Sequence, residues 1–215
     1  MNHPIKTSFE KVKSQGYADR YMMDKQLKHD HRKVAIDRVE QAIVHELLDA
    51  LPAGSVVADV PCGNGRMTQL VTRPDLRLVA LDFNRSMLAA MAGRDLGHNL
   101  ERRAQANITA LPLGDQSVDL FINMRLLHHI YDHAMRVQLC RQIARVTRGR
   151  CVMSFWTTHC WRYLRKRLLQ KKLRGCPIAP RQFVGVCREA GLQVERIIPV
   201  RPWYEDENIA ICRPL

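Results

Sequence analysis

The stretch that decides the fold is Val56-Val-Ala-Asp59-Val-Pro-Cys62-Gly63-Asn-Gly65-Arg-Met-Thr-Gln-Leu70-Val71. Its apolar beginning is typical of a buried parallel strand that ends at Asp59, and the two glycines let a ligand approach the backbone of the following turn. We expect a helix from about Arg66 to Thr72. The spacing fits neither a dinucleotide-binding Gly-x-Gly-x-x-Gly nor the Gly-Lys-Ser/Thr end of a P-loop. The turn therefore either binds another class of ligand or is an ordinary strand-to-helix connection.

The neighbouring segments alternate between helix and strand patterns. Residues 34–51 carry apolar side chains at helical spacing, and residues 76–81 form a second apolar run that ends at Asp82. A carboxylate at this strand end can accept hydrogen bonds from the two vicinal hydroxyls of a ribose. Alternatively, Asp82 caps the helix that begins near Ser86. Acidic residues at two successive strand ends, Asp59 and Asp82, favour a nucleoside site.

A third region carries a family resemblance. It contains Asn107-Ile-Thr-Ala-Leu-Pro-Leu-Gly-Asp-Gln-Ser-Val-Asp119, then an apolar run and the pair His128-His129. This order is similar to the third and fourth strand region of ubiquinone-biosynthesis-type, small-molecule members of the class I S-adenosylmethionine-dependent methyltransferases. The Asp-x-x-Cys-Gly-x-Gly turn resembles the first motif of the same family. The sequence departs from the family at Asn107, where an Asp usually faces the adenine amino group, although an amide oxygen can also accept that hydrogen bond.

The resemblance implies an α/β fold with a Rossmann-like, doubly wound, seven-stranded sheet. Most strands are expected to be parallel, with an antiparallel C-terminal edge pair formed by residues 193–200 and 208–212. It also implies an N-terminal helical cap at 1–33 and a methyltransferase domain at 34–215, with a basic helical insertion at about 158–176.

The resemblance further implies that S-adenosylmethionine is the cofactor and supplies an activated methyl group, which the protein must hold in line with the acceptor. The N-terminal tyrosines either line the acceptor pocket or belong to a helix packed on the domain. The implied residues are Asp59, Cys62, Gly63, Gly65, Asp82, Phe83, Asn107, Ile108 and Met124 for the cofactor, and Tyr17, Tyr21, Trp156 and Trp161 for the acceptor.

The histidine pair follows the fourth predicted strand, where the family has the mouth of its active site. His128 and His129 are candidate catalytic bases for a hydroxyl acceptor, because imidazole titrates near neutral pH. The alternative is that they cap or pack beneath the following helix. His129 and His133 have the spacing of a metal clip, but no third ligand of recognisable spacing follows, so we predict no metal site.

Positive charge is concentrated in one segment. The chain has a net charge of +13, and residues 133–188 contain fourteen Lys or Arg and no acidic residue. Such a field predicts an anionic partner: RNA, an anionic glycan or lipid acceptor, or an anionic membrane surface. Within the segment, residues 160–174 predict a basic amphipathic helix with Trp161 on its apolar side. It is either an ordinary surface helix that packs its leucines on the sheet, or a contact for membrane, lipid-linked glycan or RNA.

Composition sets the expected compartment. No run approaches the roughly 18 apolar residues of a membrane-spanning helix, and the polar N-terminus lacks the apolar region of a signal peptide. The seven cysteines are scattered, without paired Cys-x-x-Cys spacing, so we expect reduced thiols. The expected location is cytoplasmic, with a peripheral position at the inner face of the membrane as an option.

Two classes of base methylation are disfavoured. Enzymes that methylate exocyclic amines usually carry Asn/Asp-Pro-Pro-Tyr/Phe after the fourth strand, where this chain has Asn123-Met-Arg-Leu126. No cysteine lies in the setting that cytosine C5 methylation requires. We expect a methyltransferase that acts on a small, lipid-linked or glycan acceptor. The alternatives are an RNA methyltransferase that uses residues 133–188, and a non-catalytic adaptor with a methyltransferase-like fold.

Overall fold

The structure is a computed structural model that describes residues 31–92, 96, 100–171 and 175–215, with backbone only for residues 31–33. The expected N-terminal cap at 1–33 therefore lies almost entirely outside the described residues. Tyr17 and Tyr21 also lie outside them.

Helices and strands alternate along the described chain. Two short 3-10 helices, Thr68–Leu70 and Leu127–His129, follow β1 and β4 respectively. The elements are, in order, α1 (His31–Asp49), β1 (Val56–Asp59), β2 (Arg77–Asp82), α2 (Arg85–Ala92), β3 (Leu100–Gln105), β4 (Val118–Asn123), α3 (His133–Val146), β5 (Thr147–Trp156), α4 (Trp161–Leu168), α5 (Pro180–Glu189), β6 (Leu192–Pro199) and β7 (Glu207–Pro214).

The strands form one seven-stranded sheet in the order β3-β2-β1-β4-β5-β7-β6. β1 pairs in parallel with β2 and β4, and the parallel pairing continues to β3 on one side and β5 on the other. β7 is antiparallel to both β5 and β6. The predicted sheet, mostly parallel with an antiparallel C-terminal edge pair, is therefore confirmed.

Helices cover both faces of the sheet. Leu120 and Ile122 of β4 pack on the side of α1, whereas Phe121 between them packs on the side of α3 and α5. Side chains of successive strand residues point to opposite faces, so one apolar run serves two cores. This arrangement confirms the doubly wound architecture.

Four buried cysteines meet in the core beneath α3 and α5. Cys140, Cys151, Cys187 and Cys212 come from two helices and two strands, and all seven cysteines of the chain are free thiols. Cys151 and Cys212 face each other across the antiparallel β5–β7 pair. These thiols fill the core as small apolar groups.

The predicted helix from Arg66 to Thr72 is wrong. After Gly65, which has a φ of +85°, the chain makes turns and only the 3-10 helix Thr68–Leu70. The side chains of this segment are held by distant partners: Thr68 hydrogen-bonds to Asp59 and Arg66 to Glu40. Tertiary contacts thus outweigh the local helix preference.

The basic helix is shorter than predicted. α4 ends at Leu168, and Gln170 adopts a φ of +48°, which a continuing right-handed helix does not allow. Residues 172–174 lie outside the described part of the chain. Among the described helices, none has both the length and the apolar character needed to cross a bilayer.

Gly149 provides a test of the β4–β5 contact. A Cβ atom at Gly149 would lie 2.2 Å from the backbone carbonyl oxygen of Asp119. We expect Gly149→Ala to lower the free energy of unfolding by about 1–3 kcal/mol, because backbone must move to admit the methyl group. The control is Gly185→Ala in α5, where a Cβ meets nothing within 4 Å; we expect a gain of up to about 1 kcal/mol there. Urea denaturation measures both, and equal stabilities of the two variants would contradict the packing.

Candidate functional site

The candidate site lies where β1, β2 and β4 end. In open α/β sheets, ligands bind outside the carboxyl ends of the strands, at the point where the strand order reverses. Here the order reverses between β1 and β4, which pair with each other in parallel at the centre of the sheet. A cavity of about 380 Å³ lies at the opposite, amino-terminal edge, and its Arg150 and Glu195 already pair at 2.8 Å. That cavity is therefore not the candidate site.

The two glycines of the turn after β1 have different roles. Gly63 has a φ of +55°, and a Cβ atom there would meet no heavy atom within 4 Å. A ligand can thus lie directly against its main chain. Gly65 instead packs closely: a Cβ atom would lie 3.1 Å from Met91 of α2 and 3.3 Å from Leu96. Gly63 faces the open side of the turn, and Gly65 allows the turn to pack on α2.

Asp59 and Cys62 lie beneath this turn. The Asp59 carboxylate is buried and accepts a hydrogen bond from the Thr68 hydroxyl at 2.6 Å. Burial raises the pKa of Asp59 to about 7, against the opposing effect of the Thr68 hydrogen bond. The Cys62 thiol is also buried, which raises its pKa strongly. The structure thus gives both side chains a supporting position under the turn.

Asp82 joins the turn to the end of β2. Its Oδ2 accepts from the Gly63 backbone N–H at 2.8 Å, and its Oδ1 accepts from that of Asn84 at 2.7 Å. Asn84 Oδ1 in turn accepts from the Ser86 N–H at 2.9 Å, so Asn84 caps α2 and the capping alternative for Asp82 is wrong. Burial raises the pKa of Asp82, and its backbone hydrogen bonds oppose this. Each carboxylate oxygen has a second lone pair, so the group still fits a ribose diol beside Gly63.

The residues that follow β2 and β3 form the part of the candidate site next to Asp82. Phe83 is half-buried, and its carbonyl accepts a hydrogen bond from the Gln105 side chain at 2.8 Å. Asn107 Oδ1 accepts from both the N–H and the hydroxyl of Thr109, at 3.1 and 2.9 Å. An adenine amino group would have to displace one of these donors. Ile108 is buried in the core beneath this turn.

A cluster of buried and half-buried charges lies between α1 and the turns after β1 and β4. We call Asp37, Glu40, Arg66, Arg125 and Glu207 the α1 charge cluster. Glu40 is fully buried and accepts hydrogen bonds from Arg66 at 2.6 Å and from Arg125 at 2.7 Å. Arg125 also donates to Asp37. The two guanidinium groups compensate the large cost of burying the Glu40 carboxylate, and they tie α1 to the turns after β1 and β4.

Arg125 is held in a rare backbone conformation. Its φ is +58°, and its N–H donates to the Ser154 hydroxyl at 2.7 Å. The preceding Met124 is buried in the core on the side of α1. One residue earlier, the Asn123 side chain donates to the Val60 carbonyl at 2.6 Å, which fixes the end of β4 to the first turn.

Glu207, at the start of β7, retains a proton at neutral pH. Burial and the nearby Glu40 carboxylate raise the pKa of Glu207 to about 8, although Arg125 opposes the shift. Its Oε1 is buried without a hydrogen-bond partner in the described part of the chain. A protonated Glu207 leaves the α1 charge cluster with balanced charges.

The sequence predictions missed this cluster, although one signal was present. Glu40 lies one helical turn from both Ile36 and Ile43, which are buried, so a carboxylate occupies the apolar side of α1. A charge in that position requires a partner. Its partners Arg66 and Arg125 are 26 and 85 residues away, and no local pattern identifies them.

The histidine pair lies beside the end of β5. The His128 ring is buried and stacks on Trp156, with centroids 4.0 Å apart and planes within 2°. The His129 ring lies 4.1 Å from that of His128. Burial lowers the pKa of His128 well below its usual value and that of His129 to about 4. Both imidazoles are therefore neutral at neutral pH and are weak bases.

The two tryptophans predicted for the acceptor lie in different environments. Trp156 stacks on His128, and Gly175 packs closely against its indole, where a Cβ atom would lie 2.9 Å from the ring. Trp161 begins α4 and is exposed on the surface. The described residues contain no group of three or more potential metal ligands. His133 instead pairs with Glu189 at 3.0 Å.

The protonation of Glu207 predicts a pH-dependent stability. Between about pH 4.5 and 8, the folded protein keeps a proton that the unfolded chain releases, so this contribution of Glu207 to stability is lost as pH rises. The Glu207→Gln variant has no titrating group at this position, so its stability does not fall with pH for this reason. We expect its free energy of unfolding, relative to wild type, to increase steadily across this range and then to level off. Urea denaturation at several pH values measures the difference, with exposed Glu46→Gln as control. A difference that does not change with pH would contradict a protonated Glu207.

Comparison with known proteins agrees with this geometry. Residues 58–155 match the family described as "Methyltransferase domain". The chain is 31% identical over 116 residues to mouse tRNA (carboxymethyluridine(34)-5-O)-methyltransferase ALKBH8, which covers 52% of this chain and 16% of that protein. It is 29% identical over 107 residues to a probable S-adenosylmethionine-dependent methyltransferase of Mycolicibacterium smegmatis, covering 48% and 39%. The chain thus spans well under half the length of these curated relatives.

Solved structures share the fold. Magnesium protoporphyrin IX methyltransferase (ChlM) from Synechocystis PCC 6803, with bound SAH, superposes with a TM-score of 0.78 and 15% identity, covering 96% of this chain and 97% of that one. The mitomycin 7-O-methyltransferase MmcR gives a TM-score of 0.61 and 20% identity, covering 82% and 54%. At these identities the likeness concerns the fold alone. Residues 58–155 therefore resemble S-adenosylmethionine-dependent methyltransferases in sequence, and the chain as a whole shares the fold of solved methyltransferase structures.

Proposed function

We propose that this protein transfers a methyl group from S-adenosylmethionine to a small acceptor of the lipid-linked or glycan class. The observation that carries this proposal is the aromatic His128–Trp156 stack at the end of β5, five residues before α4 begins. Binding sites for small ligands are mostly apolar and have few polar groups.

The cofactor side of the proposal rests on the turn after β1. The open main chain at Gly63 and the adjacent Asp82 carboxylate offer a surface for the nucleoside and acceptors for its hydroxyls. When bound, S-adenosylmethionine supplies a methyl group already activated on a sulfonium. The protein then needs mainly to orient the acceptor and exclude water.

The histidines support a particular kind of acceptor atom. A general base works best when its pKa lies near the operating pH, and the pKa of His129 is about 4. Neutral imidazoles can still hold an acceptor through hydrogen bonds, and His128 positions the indole of Trp156 by stacking. We therefore propose an acceptor whose nucleophilic atom needs no deprotonation at neutral pH, such as a carboxylate oxygen.

RNA methylation is the second candidate, since curated relatives include tRNA methyltransferases and the net charge is +13. The surface charges favour it less. Arg145, Arg148 and Arg150, all in the acid-free segment, pair with Asp115, Asp119 and Glu195 from outside it. These pairs interrupt the cationic surface that a nucleic-acid backbone would follow.

The cofactor assignment predicts the effect of Asp82→Ala. The substitution removes the carboxylate that would accept hydrogen bonds from the ribose hydroxyls. It should weaken S-adenosylmethionine binding by about 1–3 kcal/mol, as measured by calorimetry. The control is Asp75→Ala, an exposed carboxylate whose partner is Arg73; its binding should equal that of wild type. Unchanged affinity in a folded Asp82→Ala variant would remove Asp82 from the site. No binding to the wild-type protein would favour the adaptor alternative.

The acceptor class can be tested by following a labelled methyl group. The protein is incubated with radiolabelled S-adenosylmethionine and, separately, with a total lipid extract and with total RNA. We expect label in the organic-soluble product of the lipid reaction. Label that enters only RNA, and is released by nuclease, would overturn the proposed acceptor in favour of the second candidate.

A further inference from the structure

α4 presents its apolar side to solvent. Trp161, Leu164, Leu168 and Leu169, which we call the α4 apolar stripe, are 52%, 49%, 69% and 54% exposed. No residue of α4 itself is buried. The alternative that α4 is an ordinary surface helix, with its leucines packed on the sheet, is therefore wrong. A helix that packs on its own domain usually buries this side, because a fully buried leucine contributes about 1.5–3 kcal/mol.

The inward side of α4 is charged instead. Arg162 donates to Glu205 at 3.0 Å and lies 3.4 Å from Asp206, and Lys166 lies 3.6 Å from Asp206. These ion pairs attach the polar side of the helix to the segment before β7. The usual orientation of an amphipathic helix is thus reversed, with cations facing the protein and leucines facing out.

An aromatic turn extends the stripe. Trp203 is 87% exposed, and its carbonyl accepts from the Trp161 N–H at 2.7 Å. The neighbouring Tyr204 is also exposed and has Arg201 over its ring at 5.1 Å. The φ of Trp203 is +66°, an unfavourable conformation for a bulky residue. Two exposed tryptophans are therefore joined through their backbones on the surface, next to the leucines.

Unpaired cations border the stripe. Arg165 and Arg167 are exposed on α4, on either side of Leu164, and neither has a carboxylate partner in the described part of the chain. Among the residues that the structure describes, the Arg167 side chain donates to the Tyr163 hydroxyl, at 3.3 Å. Apolar and indole side chains flanked by arginines match the boundary between acyl chains and anionic head groups.

We propose that the α4 apolar stripe, with Trp203, Arg165 and Arg167, docks this protein on a membrane that carries anionic lipids. RNA is the poorer fit, because single strands bind through stacking and cations and gain little from three exposed leucines. The inference rests on the proposed function only in that a docked α4 brings the end of β5 at Trp156 to the lipid surface, where a lipid-linked acceptor resides.

The main test is co-sedimentation of the full chain with vesicles of phosphatidylcholine mixed with phosphatidylglycerol, and of phosphatidylcholine alone. We expect binding to the mixed vesicles. Leu164→Ser with Leu168→Ser should reduce it about tenfold or more, and Arg165→Gln with Arg167→Gln about fivefold. Matched controls on α5, Val184→Ser and the pair Arg181→Gln with Arg188→Gln, should bind as wild type. No binding to mixed vesicles, or binding that survives the leucine substitutions, would overturn the proposal.

A second measurement tests whether the stripe is accessible. The thiol of Leu168→Cys should react in solution and be protected by mixed vesicles, with peptide mapping used to separate it from Cys176. Protection in the absence of vesicles would show that another segment of the chain or a second copy covers the stripe, and would overturn the proposal. The proposal would also be overturned if the protein bound RNA through the arginines but not the leucines and did not bind vesicles.

Calorimetry with S-adenosylmethionine on the same variants separates this inference from the proposed function. The stripe variants should bind the cofactor as wild type does. A wild-type protein that docks on vesicles but binds no cofactor would overturn the proposed function and leave the docking surface in place.

Discussion

The buried carboxylate of Glu40 binds two guanidinium groups that come from different strand ends. Arg66 follows the turn after β1, and Arg125 follows β4, so a single side chain of α1 sets the spacing of the two connections that flank the reversal of strand order. Removing one of the three charges would leave a largely buried cluster with a net charge, which costs far more than a surface ion pair contributes. The shape of the crevice above β1 and β4 therefore depends on this contact.

Much of the fold could be predicted from local sequence. Apolar runs that end in Asp59 and Asp82 identify strands, because buried parallel strands need apolar side chains on both faces. The segment after Gly65 could not be predicted in the same way. Its side chains bind Asp59 and Glu40, so its conformation is decided by contacts with residues already placed by the rest of the fold.

The residues of the candidate site also fall into two groups, those that local sequence predicts and those that distant contacts place. Sequence spacing predicted Gly63 and Asp82 as candidates, since both belong to short motifs with a fixed place relative to a strand, and the structure brings the two together. It did not identify Arg125 or Glu207, whose positions follow from the pairing of distant strands. Helical spacing likewise predicted which residues of α4 share a side, but not which side faces the protein. That choice depends on Glu205 and Asp206, about forty residues later in the chain.

Gly175 packs the segment after α4 against the His128–Trp156 pair. Its backbone touches the indole of Trp156 so closely that no side chain fits, and the next residue, Cys176, donates its N–H to the His128 carbonyl at 2.8 Å. The chain that leaves α4 is thus clamped against the aromatic pair a few residues later. A side chain at position 175 would have to displace the indole of Trp156 or the carbonyl of His128, so this aromatic pair keeps its place only because residue 175 is a glycine.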